Sequence, residues 1–397
     1  MSGATAGPGG TAIPTVRVVR EAAAEELATW DVRTVDPPGG DVQQSRAWAA
    51  HRARTGWHPH LLVLDDDAAV LALGRRSRAL GGGRLYLPKG PVAAGADAAR
   101  VAGRLAAVAG WARDAGYDAI LADPEISAAT GFPAYLTELS FRQVEEIGPS
   151  RHRMAVPIPP GADDDALLAP IAKKTRQRFL AAERRGVRVV RYDAAVEPDL
   201  PGVETPPTPR LLEAAGESFA WFHGLLAATG ARRGFGIGSR TAALAWWRAA
   251  LEDGHLVLLE ARAPDGTQLG AAIFFRHGGR LTYGHSGDVV ELRHDQPGTV
   301  HLLLWRALQL AAREGRSELD LGGVDVRGAR RAPRPGEPMH GLLEFKRSFG
   351  GEWLELSGAH ERVLRPGRHA LASGVGRVAR AVRSVPAALG RRSGGEG

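Results

Sequence analysis

Apolar and polar positions along the chain fall into two successive runs with the same order of elements. In the first run Val16–Val19 (VRVV) reads as a short strand and QQSRAWAAHRARTG as a helical segment. Three strand patterns follow, HLLVLDDD, AVLALGRR and GRLYLPKG. The helix period of ADAARVAGRLAAVAGWARDAG then leads into a strand, DAILADPE. A short helix around PAYLTELSF and strands near RQVEEI and MAVPI close the run. In the second run VRVVRYD (Val187–Asp193) opens, and helices cover roughly Pro209–Ala228 and Ser239–Glu252. Strands HLVLLEARA, LGAAIFFRH and RLTYGHSG follow. The helix VHLLLWRALQLAAREG leads to strand SELDLGG, and EWLELSG closes the run.

The two runs match piece by piece. HPHLLVLDDDAAVLALG parallels GHLVLLEARAPDGTQLGAAIFF, GGGRLYLPKG parallels GGRLTYGHSG, and WARDAGYDAILADPE parallels LAAREGRSELDLGGV. Strand, two helices, three meandering strands, helix, strand, helix, strand is the order of the GNAT acyltransferase fold. The expectation is therefore an α+β chain of two tandem GNAT-like domains with mixed sheets. Its boundaries are a disordered tail over 1–14, a first domain over 15–160, a second over 161–358, and a basic helical segment over 359–397. That last segment is expected either to touch an anionic membrane or to pack back on the first domain.

Composition narrows the chemistry. The chain has 397 residues, 44% of them hydrophobic, which is enough for two cores. It has no cysteine, which excludes disulfides, thiolate metal sites and a cysteine nucleophile. The net charge of +7 favours anionic partners, although Arg, Ala and Gly are also the residues of a GC-rich coding sequence. Residues 1–14 carry no apolar signal run, and no uninterrupted apolar stretch of about 18 residues is present. His51, His58 and His60 have no carboxylate at ligand spacing, and neither a nucleophile elbow nor a phosphate-binding P-loop appears, so no metal and no nucleotide-hydrolysis site is expected.

A GNAT domain that uses acyl-CoA holds its pyrophosphate on backbone N–H groups of an R/Q-x-x-G-x-G/A loop before a helix. In the second run that place holds Arg293-His-Asp-Gln-Pro-Gly-Thr, where Gln296 replaces a glycine and Pro297 lacks a donor. In the first run it holds Lys89-Gly-Pro-Val-Ala-Ala-Gly, which also fails. Arg233-Gly-Phe-Gly-Ile-Gly fits the pattern but lies between two helices, the wrong place for it. No CoA cofactor is expected.

The most informative stretch is Asp320–Gly351, where a strand ends in paired glycines and Lys346 sits between Phe345 and Phe349. On spacing alone two readings stand. Lys346 is either a helix lysine snorkelling past Leu342, Phe345 and Phe349, or a cation whose charge is strengthened by apolar neighbours. The motifs LYLPKGPV (Leu85–Val92), LADPE (Leu121–Glu125), KKTRQRFLAAERRGV (Lys173–Val187), YGHSG (Tyr283–Gly287), LDLGGV (Leu319–Val324) and GLLEFKRSFGG resemble, in this order, the FemABX family. These are aminoacyl-tRNA-dependent peptidyltransferases that build peptidoglycan cross-bridges. The resemblance spans about Val16 to Gly358, and the lack of a long heptad insertion makes the chain similar to the compact, FemX-like form.

The resemblance implies transfer of an amino acid from aminoacyl-tRNA to the side-chain amine of the third stem residue of a UDP-MurNAc-peptide or lipid II. It implies a cytoplasmic protein, with contact to the inner face of the membrane where lipid II is the acceptor. Lys346, with Phe345 beside it, is expected to stabilise the developing oxyanion. Lys89, Arg52, Arg233 and Tyr283 are expected to hold the acceptor, although the tyrosine that the family carries a few positions after Arg233 has no match. Asp123 orients the attacking amine or takes its proton, or else caps a helix. Lys173, Lys174 and Arg176 form a basic helix face suited to tRNA phosphates or to solvent. Two other readings stay open: a GNAT-fold N-acyltransferase acting on a polysaccharide or small amine, and a binding module for cell-wall precursors.

Overall fold

The computed structural model describes residues 12–371 apart from 77–81, 148–150, 196, 207–210, 234–235, 237 and 325–330. The chain starts with β1 (Val19–Glu21), α1 (Ala24–Ala28), α2 (Trp30–Thr34) and α3 (Arg46–Arg54). The Ser45 side chain caps α3 by accepting from the Trp48 N–H. Next come β2 (His58–Leu64), β3 (Ala69–Arg76), β4 (Gly83–Leu87) and α4 (Ala98–Asp114), the last capped by Asp97. Then follow β5 (Ala119–Ala122), α5 (Phe132–Glu138) and β6 (Arg142–Gln143).

The second half runs β7 (His152–Pro157), α6 (Asp164–Leu168), α7 (Lys173–Arg184), β8 (Arg188–Tyr192) and β9 (Val203–Glu204). Helices α8 (Leu211–Arg233) and α9 (Arg240–Glu252) precede the meander β10 (Leu256–Arg262), β11 (Gln268–His277) and β12 (Arg280–Asp288). Helix α10 (Thr299–Arg313), β13 (Glu318–Asp320), α11 (His340–Arg347), β14 (Glu352–Glu355) and β15 (His360–Val363) complete it.

The strands form two mixed sheets, ordered β1-β2-β3-β4-β5-β15-β6 and β14-β7-β13-β12-β11-β10-β8-β9. In each sheet an antiparallel meander leads into a parallel pair, β4 with β5 and β12 with β13, and β9 adds a further, short parallel pairing to β8. A crossover helix joins β4 to β5 and another joins β12 to β13, the usual device for a parallel connection. Helices α4 and α10 fill that role and bury their apolar faces in separate cores. α10 is packed on most of its circumference, with Leu302, Leu303, Leu304, Leu308 and Leu310 all buried. The expected pair of tandem GNAT-like domains is present.

The boundary at residue 160 does not follow the sheets. β7 lies before it in sequence but pairs with β13 and β14 of the second sheet. The reverse exchange also occurs. β15, in the segment expected to be helical, inserts antiparallel between β5 and β6 of the first sheet. Its alternation His360-Glu361-Arg362-Val363 carries too much charge to read as a strand, yet Glu361 is buried and paired with Arg84 at 2.9 Å and Arg142 at 3.0 Å. After β15 the chain stays on the first domain: Leu364 N–H donates to the Asp118 carbonyl, and Arg365 to that of Arg113. A helical turn starts at 366, and residues 372–397 lie outside the described region. The expected tail over 1–14 is described only from Ala12 on, and there Ile13 packs on the first core while the Pro14 carbonyl lies against Gly103 of α4.

Candidate functional site

The two parallel strand pairs end at the same seam between the domains, and most of the expected site residues lie there. In the second domain β12 and β13 pair only at Leu281↔Leu319 and Thr282↔Asp320, while β12 runs on to Asp288. The gap beyond is filled by Lys346 from α11. Its Nζ donates to the carbonyls of Gly322 at 2.9 Å and Gly323 at 3.1 Å. Gly322 has φ +73°, and a Cβ there would lie 3.7 Å from the Lys346 Nζ and 3.9 Å from the Tyr283 carbonyl. The paired glycines thus let carbonyls reach the ammonium, which a side chain would crowd.

Lys346 is 4% exposed, and among the described residues no carboxylate lies within ion-pair distance of it. Burial pulls its pKa down to about 8, opposed in part by the charge of Asp320. An ammonium has three N–H donors, and the two carbonyls use two of them. Phe345 packs on the second core, with its ring 5.1 Å from that of His301 and 5.5 Å from that of Phe349. Of the two readings of Lys346, snorkelling fails: the head is buried and held, not carried to water.

In the first domain the chain leaves β4 through Lys89, which has φ +54°, a region that non-glycine residues avoid. Asp123, just past β5, fixes this conformation. Its Oδ1 accepts the Lys89 N–H at 2.8 Å and its Oδ2 accepts the Tyr86 hydroxyl at 3.0 Å. Asp123 caps no helix; it joins two strand ends. Burial pushes its carboxyl up to about 6. Lys89 is neither exposed nor open to a phosphate here: its Nζ lies 4.0 Å from Asp123 and 3.9 Å from Glu125, and it is 4% exposed.

A buried ionic cluster that the sequence did not announce joins the two strand ends. Arg280, at the start of β12, is paired with Glu125 and lies 3.8 Å from Asp41 and 3.7 Å from Asp320. Arg153 of β7 is paired with Glu318 and lies 3.8 Å from Asp320. Burial opposes the charge on Glu125, but Arg280 and Lys89 outweigh it and hold its pKa at about 2. Burial pushes Asp41 up to about 6, with the charge of Glu125 adding to it. His277 Nδ1 donates to the Gly40 carbonyl at 3.0 Å, and burial with the nearby Arg280 pulls its pKa down to about 3. Glu125 and Asp320 sit inside the motifs ADPE and LDLGG and were within reach of sequence reading. Arg280 follows an ordinary Gly-Gly turn, and nothing local marks it.

The remaining expected residues divide. Arg52 on α3 lies over Trp48 and Trp57, 5.4 and 5.0 Å from the ring centres, and burial lowers its pKa. Its buried Nε has no hydrogen-bond partner among the described residues. Trp57 lies 6.3 Å from Tyr86, so Arg52, Trp57, Tyr86 and Asp123 form one strip leading to the seam. Tyr283 is half-buried on β12, bonded to the Ser286 hydroxyl, with its carbonyl beside Gly322. Arg233 ends α8, and its side chain lies outside the described residues.

Lys173 and Lys174 are exposed on the first turn of α7 and Arg176 is half-buried, while Thr175, Phe179 and Ala182 face inward. This helix start is tied to the end of α11: Ala172 N–H donates to the Ser348 carbonyl, and the Thr175 hydroxyl bonds that of Ser348 at 2.8 Å. α7 also covers the start of α10, where a Cβ on Gly298 would lie 2.3 Å from the Arg178 carbonyl. A cavity of about 550 Å³ elsewhere in the second domain, lined by Tyr192, Ser218, Trp221 and Arg262 among others, holds none of these residues.

The crystal structure of FemX superposes with a TM-score of 0.70 over 89% of this chain and 99% of that one, at 19% identity. The chain has the FemX fold. Residues 173–346, from the first basic residue of α7 to Lys346, match the acetyltransferase (GNAT) domain family. The FemX-like fold is shared more distantly. L-PGS from Bacillus licheniformis gives a TM-score of 0.51 at 12% identity, covering 91% of this chain and 99% of that one. The C-terminal domain of a putative lysylphosphatidylglycerol synthetase from Agrobacterium fabrum gives 0.50 at 14% identity, covering 89% and 96%. No curated protein matches the chain by sequence. The architecture is that of acyltransferases.

Proposed function

We propose that this protein transfers an aminoacyl group from aminoacyl-tRNA to the side-chain amine of a peptidoglycan precursor, a UDP-MurNAc-peptide or lipid II. The observation that carries the reading is the buried Lys346 ammonium in the gap between β12 and β13, with one N–H beyond the two that Gly322 and Gly323 accept. When an amine attacks an ester, negative charge gathers on the carbonyl oxygen. A desolvated cation already held in place stabilises that charge without reorganising. Asp123, with a pKa near 6, is ionised at neutral pH and still basic enough to take the proton that the amine loses.

The donor assignment rests on α7. Its exposed Lys173 and Lys174 stand on a helix start tied to Ser348, two residues from Lys346, so tRNA phosphates bound there would bring the acylated end toward the gap. The covered start of α10 supports a donor other than acyl-CoA. The acceptor assignment rests on Arg52, whose guanidinium stacks on tryptophan and so presents a planar, oriented cation, a chemistry suited to a pyrophosphate. Lys89 would join it only after exchanging its carboxylate partners for substrate. The experiment is transfer of labelled amino acid from a total charged tRNA pool to UDP-MurNAc-pentapeptide, to lipid II and to a panel of simple amines. Label on either precursor supports the reading. Label only on simple amines, or transfer only from acyl-CoA, moves the protein to the N-acyltransferase reading.

A further inference from the structure

A second cluster lies away from the seam, where the first half of the chain meets the second at α2 and the α9–β10 turn. Asp31 in the first turn of α2, Asp253 at the end of α9 and His255 before β10 each bring one ligand atom within 4.8 Å of the others. The elements fix their directions. Asp31 Oδ1 accepts the Arg46 N–H at 2.9 Å, which leaves Oδ2 facing His255 Nδ1 at 3.8 Å. His255 is 8% exposed, and its buried Nδ1 has no hydrogen-bond partner among the described residues. Its other nitrogen, Nε2, lies 3.3 Å from Asp36 Oδ1. A carboxylate on Nε2 selects the tautomer whose lone pair is on Nδ1. That lone pair then points at the Asp31 carboxylate with Asp253 alongside, a repulsion that a bound cation among the three, or a proton on Nδ1, relieves.

We propose that Asp31, Asp253 and His255 form a divalent-metal site that staples the first half of the chain to the second. One imidazole and two carboxylates suit a borderline ion such as zinc, and the Asp36–His255 contact is the outer-shell carboxylate that such a histidine usually has. Ligands of a tetrahedral zinc lie about 3.4 Å apart, so the site closes by a small turn of the exposed Asp253 side chain. Asp253 and His255 are two residues apart in the second half, while Asp31 comes from the first, so the full set does not show as a spacing in the sequence.

The test uses tag-free, full-length protein freed of metal by chelator and titrated with Zn²⁺ by calorimetry, with the melting temperature followed in parallel. The site predicts one Zn²⁺ per chain, a rise in melting temperature, and loss of both in Asp253→Asn. Asp253 is exposed, so that variant keeps the apo fold, which its unchanged apo melting temperature will show. Asp36→Asn is expected to weaken binding about 10- to 100-fold. Identical titrations for wild type and Asp253→Asn, whether saturable or not, would overturn the site. None of these readouts depends on the transferase reading.

Discussion

In the proposed reaction Lys346 is the residue on which the chemistry turns. Its Nζ is held by two carbonyls at the end of β13 and is not neutralised by any carboxylate in ion-pair range among the described residues. Lys346→Met keeps the length of the side chain and removes the charge. It should leave the fold intact and lower the transfer rate by about 100- to 1,000-fold, the usual loss for one oxyanion donor. Because burial has lowered the Lys346 pKa to about 8, the cation is lost as pH rises through that value. The rate should therefore fall on an alkaline limb near pH 8, and that limb should vanish in Lys346→Met. Asp123 gives the opposite limb. Its pKa, raised to about 6 by burial, means that the base form is lost as pH falls through 6. An acid limb of kcat/KM near pH 6 that persists unchanged in Asp123→Asn would remove Asp123 from the proton path. The same raised pKa bears on stability with its own sign. The folded state binds this proton more tightly than the unfolded one, so its contribution is full below the unfolded carboxylate range and declines as pH rises through about 6.

At the scale of elements, the sequence pattern located nearly every strand and helix, because the meander strands and the two crossover helices carry long apolar runs. The order of those elements, not any single motif, made the fold legible. What the pattern missed were short, charged strands. β15 reads as His-Glu-Arg-Val, and only its pairing with β5 and β6 makes it a strand. Periodicity cannot report a partner far away in the chain. The motifs drew attention to Lys89 and Asp123 at strand ends and to Lys346 on α11, and the fold brings all three to the seam. The link between them was not, since Arg280 meets Glu125 and Asp320 only through the tertiary fold. Helix α7 carries its own prediction. If Lys173 and Lys174 each meet a tRNA phosphate, Lys173→Gln with Lys174→Gln should reduce the slope of log affinity against log salt by about 1 per lysine. An unchanged slope, measured by filter binding across a salt series, would leave this face to solvent.

At the scale of the whole molecule, the two domains exchange strands, β7 into the second sheet and β15 into the first. A cut at residue 160 therefore removes β7 from between β13 and β14, and a chain ending at 358 strips β15 from between β5 and β6. Both cuts expose unpaired strand edges, which favours aggregation. Residues 15–160 and 161–397 expressed apart should be insoluble or partly unfolded, while co-expression, which returns both β7 and β15 to their sheets, should restore soluble protein; two soluble, cooperatively melting halves would contradict the exchange. The ionic cluster works at the same scale. Arg280 is 4% exposed and meets carboxylates from both domains, so Arg280→Met leaves Glu125 buried with a weakened counter-charge. That loss should cost about 3–5 kcal/mol in denaturant unfolding. The strand exchange and the cluster together hold the Asp123 and Lys346 ends of the seam against each other, which suits the proposed transfer between two large substrates.

The most direct test of that arrangement is the single-turnover rate of transfer from charged tRNA to UDP-MurNAc-pentapeptide or lipid II, measured from pH 5 to 10 in wild type and Lys346→Met. The account predicts a bell-shaped profile for wild type with limbs near 6 and 8, and in the variant a rate at least about 100-fold lower without the alkaline limb. A folded Lys346→Met protein that transfers at the wild-type rate would contradict it.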